Sequence, residues 1–252
     1  MPRIALTPAF AQLALLSVSI GISGCHSSDL NKDLKKAETT LGSNNTLAQP
    51  SDSPEGGSSK RTLGESCHSD DPNHICLGLK YVAYHGPDGA PTISQEQVIQ
   101  TVNEINQLWS PCNLAFQIDR YVSVEPKDYD LRYSTADTGE LDQIRRAFEE
   151  NSTLLVATTG TWARTGSIGW TGANAWTNLP GSGDHGVVLE RPVALYANIV
   201  AHELGHYLNL DHVNDRSAVM NPLVYSGSNR FYPSQCEAAR QAATYFWAAM
   251  LR

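Results

Sequence analysis

The stretch "AHELGHYLNLDHVNDRSAVM", residues 201–220, carries three histidines, a glutamate beside the first of them and a methionine downstream. His202 and His206 are four residues apart. On a helix that spacing puts both rings on one face, about one turn apart, within reach of a single tetrahedral zinc ion. The pattern of "VALYANIVAHELGHYLNL" predicts a helix over 193–209, with Ile199 on the histidine face and Val200, Leu204 and Leu208 turned to the core. Glu203, next to the first ligand, is placed to act as a base beside the metal and not as a ligand on it. Zinc acidifies water to a pKa of about 7, and a carboxylate that takes the proton and returns it to a leaving amine completes the requirements of peptide hydrolysis. A catalytic zinc needs a third protein ligand, and His212 is available. A continuing helix would carry residue 212 too far along the axis, so the chain must turn after Leu208. Asn209 stands where a left-handed residue would end the helix, and asparagine tolerates that conformation better than other residues with a β-carbon.

"HELGHYLNLDH" followed by "SAVMNP" resembles the metzincin clan of zinc endopeptidases, whose signature is HExxHxxGxxH with a methionine turn downstream. The resemblance implies that His202, His206 and His212 hold Zn2+, that Glu203 is the general base, and that Met220 forms the tight turn beneath the metal. A chance HExxH arises in roughly one chain in a hundred of this composition, and a third histidine at a fixed place is roughly thirtyfold rarer. Asn209 stands where the clan has glycine, and Val213 after the third histidine points to no particular subfamily. The resemblance implies an α+β fold: a mixed twisted sheet with a backing helix, an active-site helix and a C-terminal helix. It also implies an edge strand that binds substrate backbone, for which "GSIGWTGANAW" (166–176) stands in the right order; a glycine-rich loop over packed tryptophans is the equal alternative. Tyr225 lies five residues after Met220, where some clan members place a metal-reaching tyrosine two residues on, and reads as a packed or surface side chain. His68, His74, His85 and His185 have no ligand spacing among themselves and read as surface or structural.

The 252 residues are 41% hydrophobic and 17% charged, enough for one good-sized core. A net charge of -8 and the lack of any Lys/Arg run argue against nucleic acid as a partner. "MPRIALTPAFAQLALLSVSIGISGC" reads as a signal peptide over 1–24, and "ISGC" resembles the lipobox of bacterial lipoproteins, in which Cys25 becomes the lipidated first residue. His26 is not the aspartate that favours inner-membrane retention, so outer membrane or cell surface is expected, with simple secretion as the alternative. Residues 25–66 are polar and poor in aromatics, a tether of about 40 residues that as a flexible coil would span roughly 35 Å.

Residues 67–252 form the expected folded domain. Cys67, Cys76, Cys112 and Cys236 are an even number in an exported chain, so two disulfides are expected, with the pairing 67–76 and 112–236 favoured. Strands are predicted at 75–86, where apolar and polar residues alternate, and at 114–125, 152–159 and 185–190. A helix follows Pro91, opened by a Ser94/Gln97 capping box, with Val98, Val102, Ile105 and Trp109 on one face. Further helices are predicted at 139–151 and from Ser234, capped by Glu237. Interleaved strands and helices imply α/β or α+β layers with a mixed sheet.

Two functions of different class fit. One is a lipid-anchored, monomeric zinc endopeptidase acting on a peptide or protein outside the cytoplasm. The other is a non-catalytic, surface-binding lipoprotein that keeps zinc for structure; Glu203 argues against it, because a structural site has no use for a carboxylate beside its ligands. An amidase acting on cell-wall peptides is a weaker third reading.

Overall fold

In this computed structural model residues 63–252 and the strand β1 (Gly24–Cys25) are described; the rest of the expected signal peptide, and the tether up to residue 62, lie outside the described residues. At the start of the continuous described stretch, the Leu63 N–H donates to the Ile118 carbonyl at 2.8 Å.

The strand β2 (Ile75–Tyr84) is buried at all ten positions. Its alternation predicts one wet face, but it is an interior strand with helices on both sides, as parallel strands are. Its Lys80 is accommodated because the ammonium donates to the Phe148 carbonyl at 2.9 Å and to Glu150 Oε1 at 2.5 Å. Flanking β2 in parallel are β3 (Leu114–Val124) and β4 (Leu154–Thr159), and β6 (Val187–Glu190) continues the parallel set beside β4. β5 (Ala175–Thr177) then runs antiparallel to β6, and β1 lies antiparallel on β5. The spatial order is β1-β5-β6-β4-β2-β3. Of the stretch 166–176 only its end is strand; the part before folds as a short helix, α3 (Ser167–Thr171), closed by Gly172 at φ 66°.

The period of two along the strands divides the core. Leu77, Leu79, Tyr81, Ala83, Val156, Ala175 and Leu189 face one layer, which holds α1 (Gln95–Trp109), α4 (Ala197–Tyr207) and α5 (Pro233–Phe246). Val82, Tyr84, Leu155, Ala157, Trp176 and Val188 face the other, which holds α2 (Thr138–Phe148) and Trp162. α1 opens with the expected capping box and buries the four expected apolar residues. The active-site helix is shorter than 193–209: Arg191–Val193 forms a 3-10 turn, and α4 itself begins at Ala197. α5 begins at Pro233 and is capped by Gln235 in place of Glu237, with Gln235 Oε1 accepting from the Tyr232 N–H at 3.0 Å. Pro233 takes the first helical position, where its fixed φ fits and its missing N–H costs nothing. Both favoured disulfides are present, Cys67–Cys76 fastening the incoming chain to β2 and Cys112–Cys236 fastening α5 to the end of α1.

Candidate metal centre

Everything at the centre depends on how α4 ends. Asn209 adopts φ 62°, the left-handed conformation its position demands. Its N–H donates to the His206 carbonyl at 2.9 Å, and the Leu210 N–H donates to the Gly205 carbonyl at 2.9 Å. This crossed pair of bonds is the Schellman arrangement, which satisfies the last carbonyls of a helix while reversing the chain. The reversal delivers His212 to the metal face. It also turns the Leu210 carbonyl toward His206, whose Nδ1 donates to it at 2.8 Å. A second support comes from the methionine turn, where the Val219 carbonyl accepts from His202 Nδ1 at 2.6 Å. Met220 is fully buried beneath α4, and a β-carbon on Gly205 would meet its Sδ. Glycine at 205 lets helix and turn approach this closely without shifting the Met220 side chain.

The three Nε2 atoms converge: His206 to His212 at 3.0 Å and His202 to His212 at 3.3 Å, with all the ligand atoms of the three residues within 4.8 Å. Carbonyl oxygens only accept, so Nδ1 carries the hydrogen on His202 and His206, and in the neutral rings Nε2 is a lone pair. Burial keeps those rings neutral. It pushes the His202 pKa well below the usual histidine value and that of His206 down to about 4, and it lowers His212 as well. A cation between the rings satisfies all three, and three imidazole nitrogens suit zinc. The residues present therefore fit the metal.

Glu203 is fully buried, and its Oε2 accepts from Thr177 Oγ1 on β5 at 2.6 Å. β5 is held from the opposite face by Arg145, which is 1% exposed and donates to the carbonyls of Trp176 and Gly186, both at 2.8 Å, and to Asp142 at 2.7 Å. Burial lowers the guanidinium pKa and Asp142 opposes the shift, so Arg145 stays charged.

The other histidines stay apart from this cluster, as expected. His74 pairs with Asn113, His85 with Ser123, and His68 is exposed. The His185 ring packs edge-on to Trp247 at 4.8 Å, while neighbouring Asp184 pairs with Arg146. Tyr225 lies under the Arg216 guanidinium, 4.3 Å from its ring centre. The sequence reading missed Thr177, Arg145 and the constraint on Gly205. Arg145 had a signal, because it falls with Leu141, Ile144 and Phe148 on the apolar stripe of α2, where a charge is out of place.

The matrixin family model matches residues 79–241, which include the histidine cluster, Glu203, Thr177 and Met220. The chain belongs to the matrixin family. Membership settles the subfamily that the motif left open, and it makes zinc the metal of the three-histidine centre. No curated protein sequence matches this matrixin. Among solved structures it is similar to one described as a chaperone-substrate complex, at 12% identity and TM-score 0.44 over 71% of this chain and 35% of that one. It is also similar to metalloproteinase-II from Bacteroides fragilis, at 11% identity and TM-score 0.44 over 69% of this chain and 59% of that one. The matrixin thus spans less than two thirds of either neighbour, and likenesses this distant add nothing to the argument from the site.

Proposed function

We propose that this matrixin is a zinc endopeptidase that hydrolyses peptide bonds outside the cytoplasm, anchored to the cell envelope by a lipid on Cys25. The observation that carries the reading is the convergence of three imidazole nitrogens, with a buried carboxylate on the residue that follows the first of them in the chain. A zinc ion held by His202, His206 and His212 supplies Lewis acidity toward the scissile carbonyl and toward water. Glu203 takes the proton from the attacking water and delivers it to the leaving nitrogen. Val219 and Leu210 fix the ring orientations through their carbonyls, so the ligands need no rearrangement to bind metal. Met220 supports the floor of the site.

β5 orients the substrate. As the antiparallel edge of the sheet it accepts an added strand, and Gly24–Cys25 already lies along it with Gly24 opposite Trp176 and Cys25 opposite Ala175. An extended peptide paired at the same edge would run past Thr177 toward Glu203. In a lipoprotein cut before Cys25, Gly24 and its pairing with Trp176 would be gone, and substrate would have to pair beside Trp176 and Thr177 or displace Cys25 from Ala175.

The test is digestion of a diverse peptide mixture by the purified protein, with cut sites read by mass spectrometry. Cleavage is expected to vanish on zinc chelation and to fall roughly 10²–10⁴-fold in Glu203→Ala with zinc content retained. A folded, zinc-loaded protein that makes no cuts would favour the surface-binding lipoprotein instead. Intact-mass analysis of membrane-extracted protein tests the anchor, since Cys25→Ser would abolish both the acyl mass and the membrane fractionation.

A further inference from the structure

Thr177 is the last residue of β5, and on a strand it shares a face with Ala175, while Trp176 between them points the other way. The core agrees with this alternation, because Ala175 packs with the α4 layer and Trp176 with the α2 layer. The Thr177 side chain is therefore aimed at α4, and the residue it meets there is Glu203. Thr177 is 2% exposed and Glu203 0% exposed, so their 2.6 Å hydrogen bond is shielded from water. A neutral hydroxyl in such a place needs a partner, and a bond from it to a carboxylate is stronger than one between neutral groups. Threonine adds stiffness, because branching at Cβ restricts the torsion that aims the hydroxyl. The strand end is itself fixed. One residue back, the Trp176 carbonyl is held by the Arg145 guanidinium, which also holds Gly186 just before β6. A chain of short, buried contacts thus runs from α2 through β5 to the carboxylate beside the metal ligands.

We propose that Thr177 is a positioning residue for Glu203: its hydroxyl anchors Oε2, so that the carboxylate is held in one orientation before substrate binds. The edge strand would then have two duties, offering its backbone to the peptide and its terminal side chain to the base. A threonine serving only the strand would need its β-branched shape and not its oxygen, and valine has that shape. The importance for turnover rests on the peptidase reading above, whereas the contact itself does not.

The experiment compares Thr177→Val and Thr177→Ser, alone and in a Glu203→Ala background, using the full chain at a fixed saturating zinc concentration. The first readout is the thermal midpoint, which requires no activity. Thr177→Val should lower it by roughly 3–8 °C, the effect expected of a lost hydrogen bond to a buried carboxylate in a domain of this size. Thr177→Ser should recover most of that loss, and in the Glu203→Ala background the advantage of threonine over valine should vanish or reverse, because the buried hydroxyl then loses its carboxylate partner. The second readout is kinetic: Thr177→Val should lower kcat about tenfold or more with KM within about twofold, and Thr177→Ser should restore kcat. A valine effect on the midpoint that persists undiminished without Glu203 would overturn the proposal. So would serine and valine variants that lose kcat equally. If the wild-type protein cleaves no peptide, the midpoint cycle still decides whether Thr177 anchors Glu203, and the peptidase reading alone falls.

Discussion

The two faces of the sheet do different work. On the α4 face the site is built from backbone: a left-handed Asn209, a glycine under a methionine, and two carbonyls that aim two imidazoles. On the α2 face the polar work falls to side chains, with Arg145 binding β5 and Glu190 accepting from the Trp162 N–H, Arg164 and Asn174. The first face fixes where the metal sits. The second fixes where the edge strand sits relative to it, and the faces meet at the bond from Thr177 to Glu203. This division teaches that metal affinity and substrate alignment have separate physical supports, and each support can be removed in turn.

The largest effect is expected from Arg145→Met. The variant keeps an apolar stem in the stripe of α2 but loses the guanidinium bonds to the carbonyls of Trp176 and Gly186. Two lost buried bonds from a charged donor cost roughly 3–5 kcal/mol together, a fall in thermal midpoint on the order of 10 °C. If the faces are separate, zinc affinity measured by competition with a chelating dye should change less than about threefold, since no ligand touches this cluster. KM for a peptide should rise with the loosened strand. A zinc affinity that fell in step with stability would break the comparison.

Gly205→Ala strikes the opposite face and should show the opposite pattern. Alanine improves helix propensity by up to about 1 kcal/mol, but its methyl would enter the space of the buried Met220 sulfur. Overpacking of this kind costs about 1–3 kcal/mol, so a modest net loss of stability is expected. The displaced turn carries the Val219 carbonyl that orients His202, so zinc affinity should drop about tenfold or more. Equal zinc affinity in wild type and variant would show that the turn can shift without disturbing the ligand.

Much of the first face could be read from sequence because its chemistry follows fixed spacings. The interval from His202 to His206 is a helical turn, Asn209 is a permitted left-handed residue, and the capping box at Ser94 and the buried side of α1 follow from pattern alone. The second face was harder, since its parts are far apart in the chain. Arg145 acts on Trp176 and Gly186, and nothing local to any of them announces the others. The three-residue strand β5 is too short to show a period, so the sequence leaves 166–176 equally open to an edge strand and to a glycine-rich loop, whereas the chain there forms α3 and then β5. Alternation in β2 misled for a related reason: polar Lys80 looks like a surface position until Glu150, 70 residues later, neutralises it. The start of α5 was misplaced by one residue because Ser234 and Glu237 imitate a cap that Pro233 and Gln235 supply.

The smallest effect, Asn209→Gly, is the finest test of how the first face works. Asparagine at φ 62° carries part of the roughly 1–2 kcal/mol left-handed penalty of a residue with a β-carbon, and glycine would relieve it. Against this stands the greater freedom glycine gives the unfolded chain, about 0.4–1 kcal/mol. The terms nearly cancel, leaving a midpoint rise of no more than about 3 °C. Zinc affinity is the sharper readout, because the same turn aims the Leu210 carbonyl at His206 Nδ1. If backbone geometry alone sets that ring, glycine keeps the Schellman bonds and the affinity holds within about twofold. A larger drop would mean that asparagine contributes more than its tolerance of the turn, and that the first face, like the second, depends on a side chain.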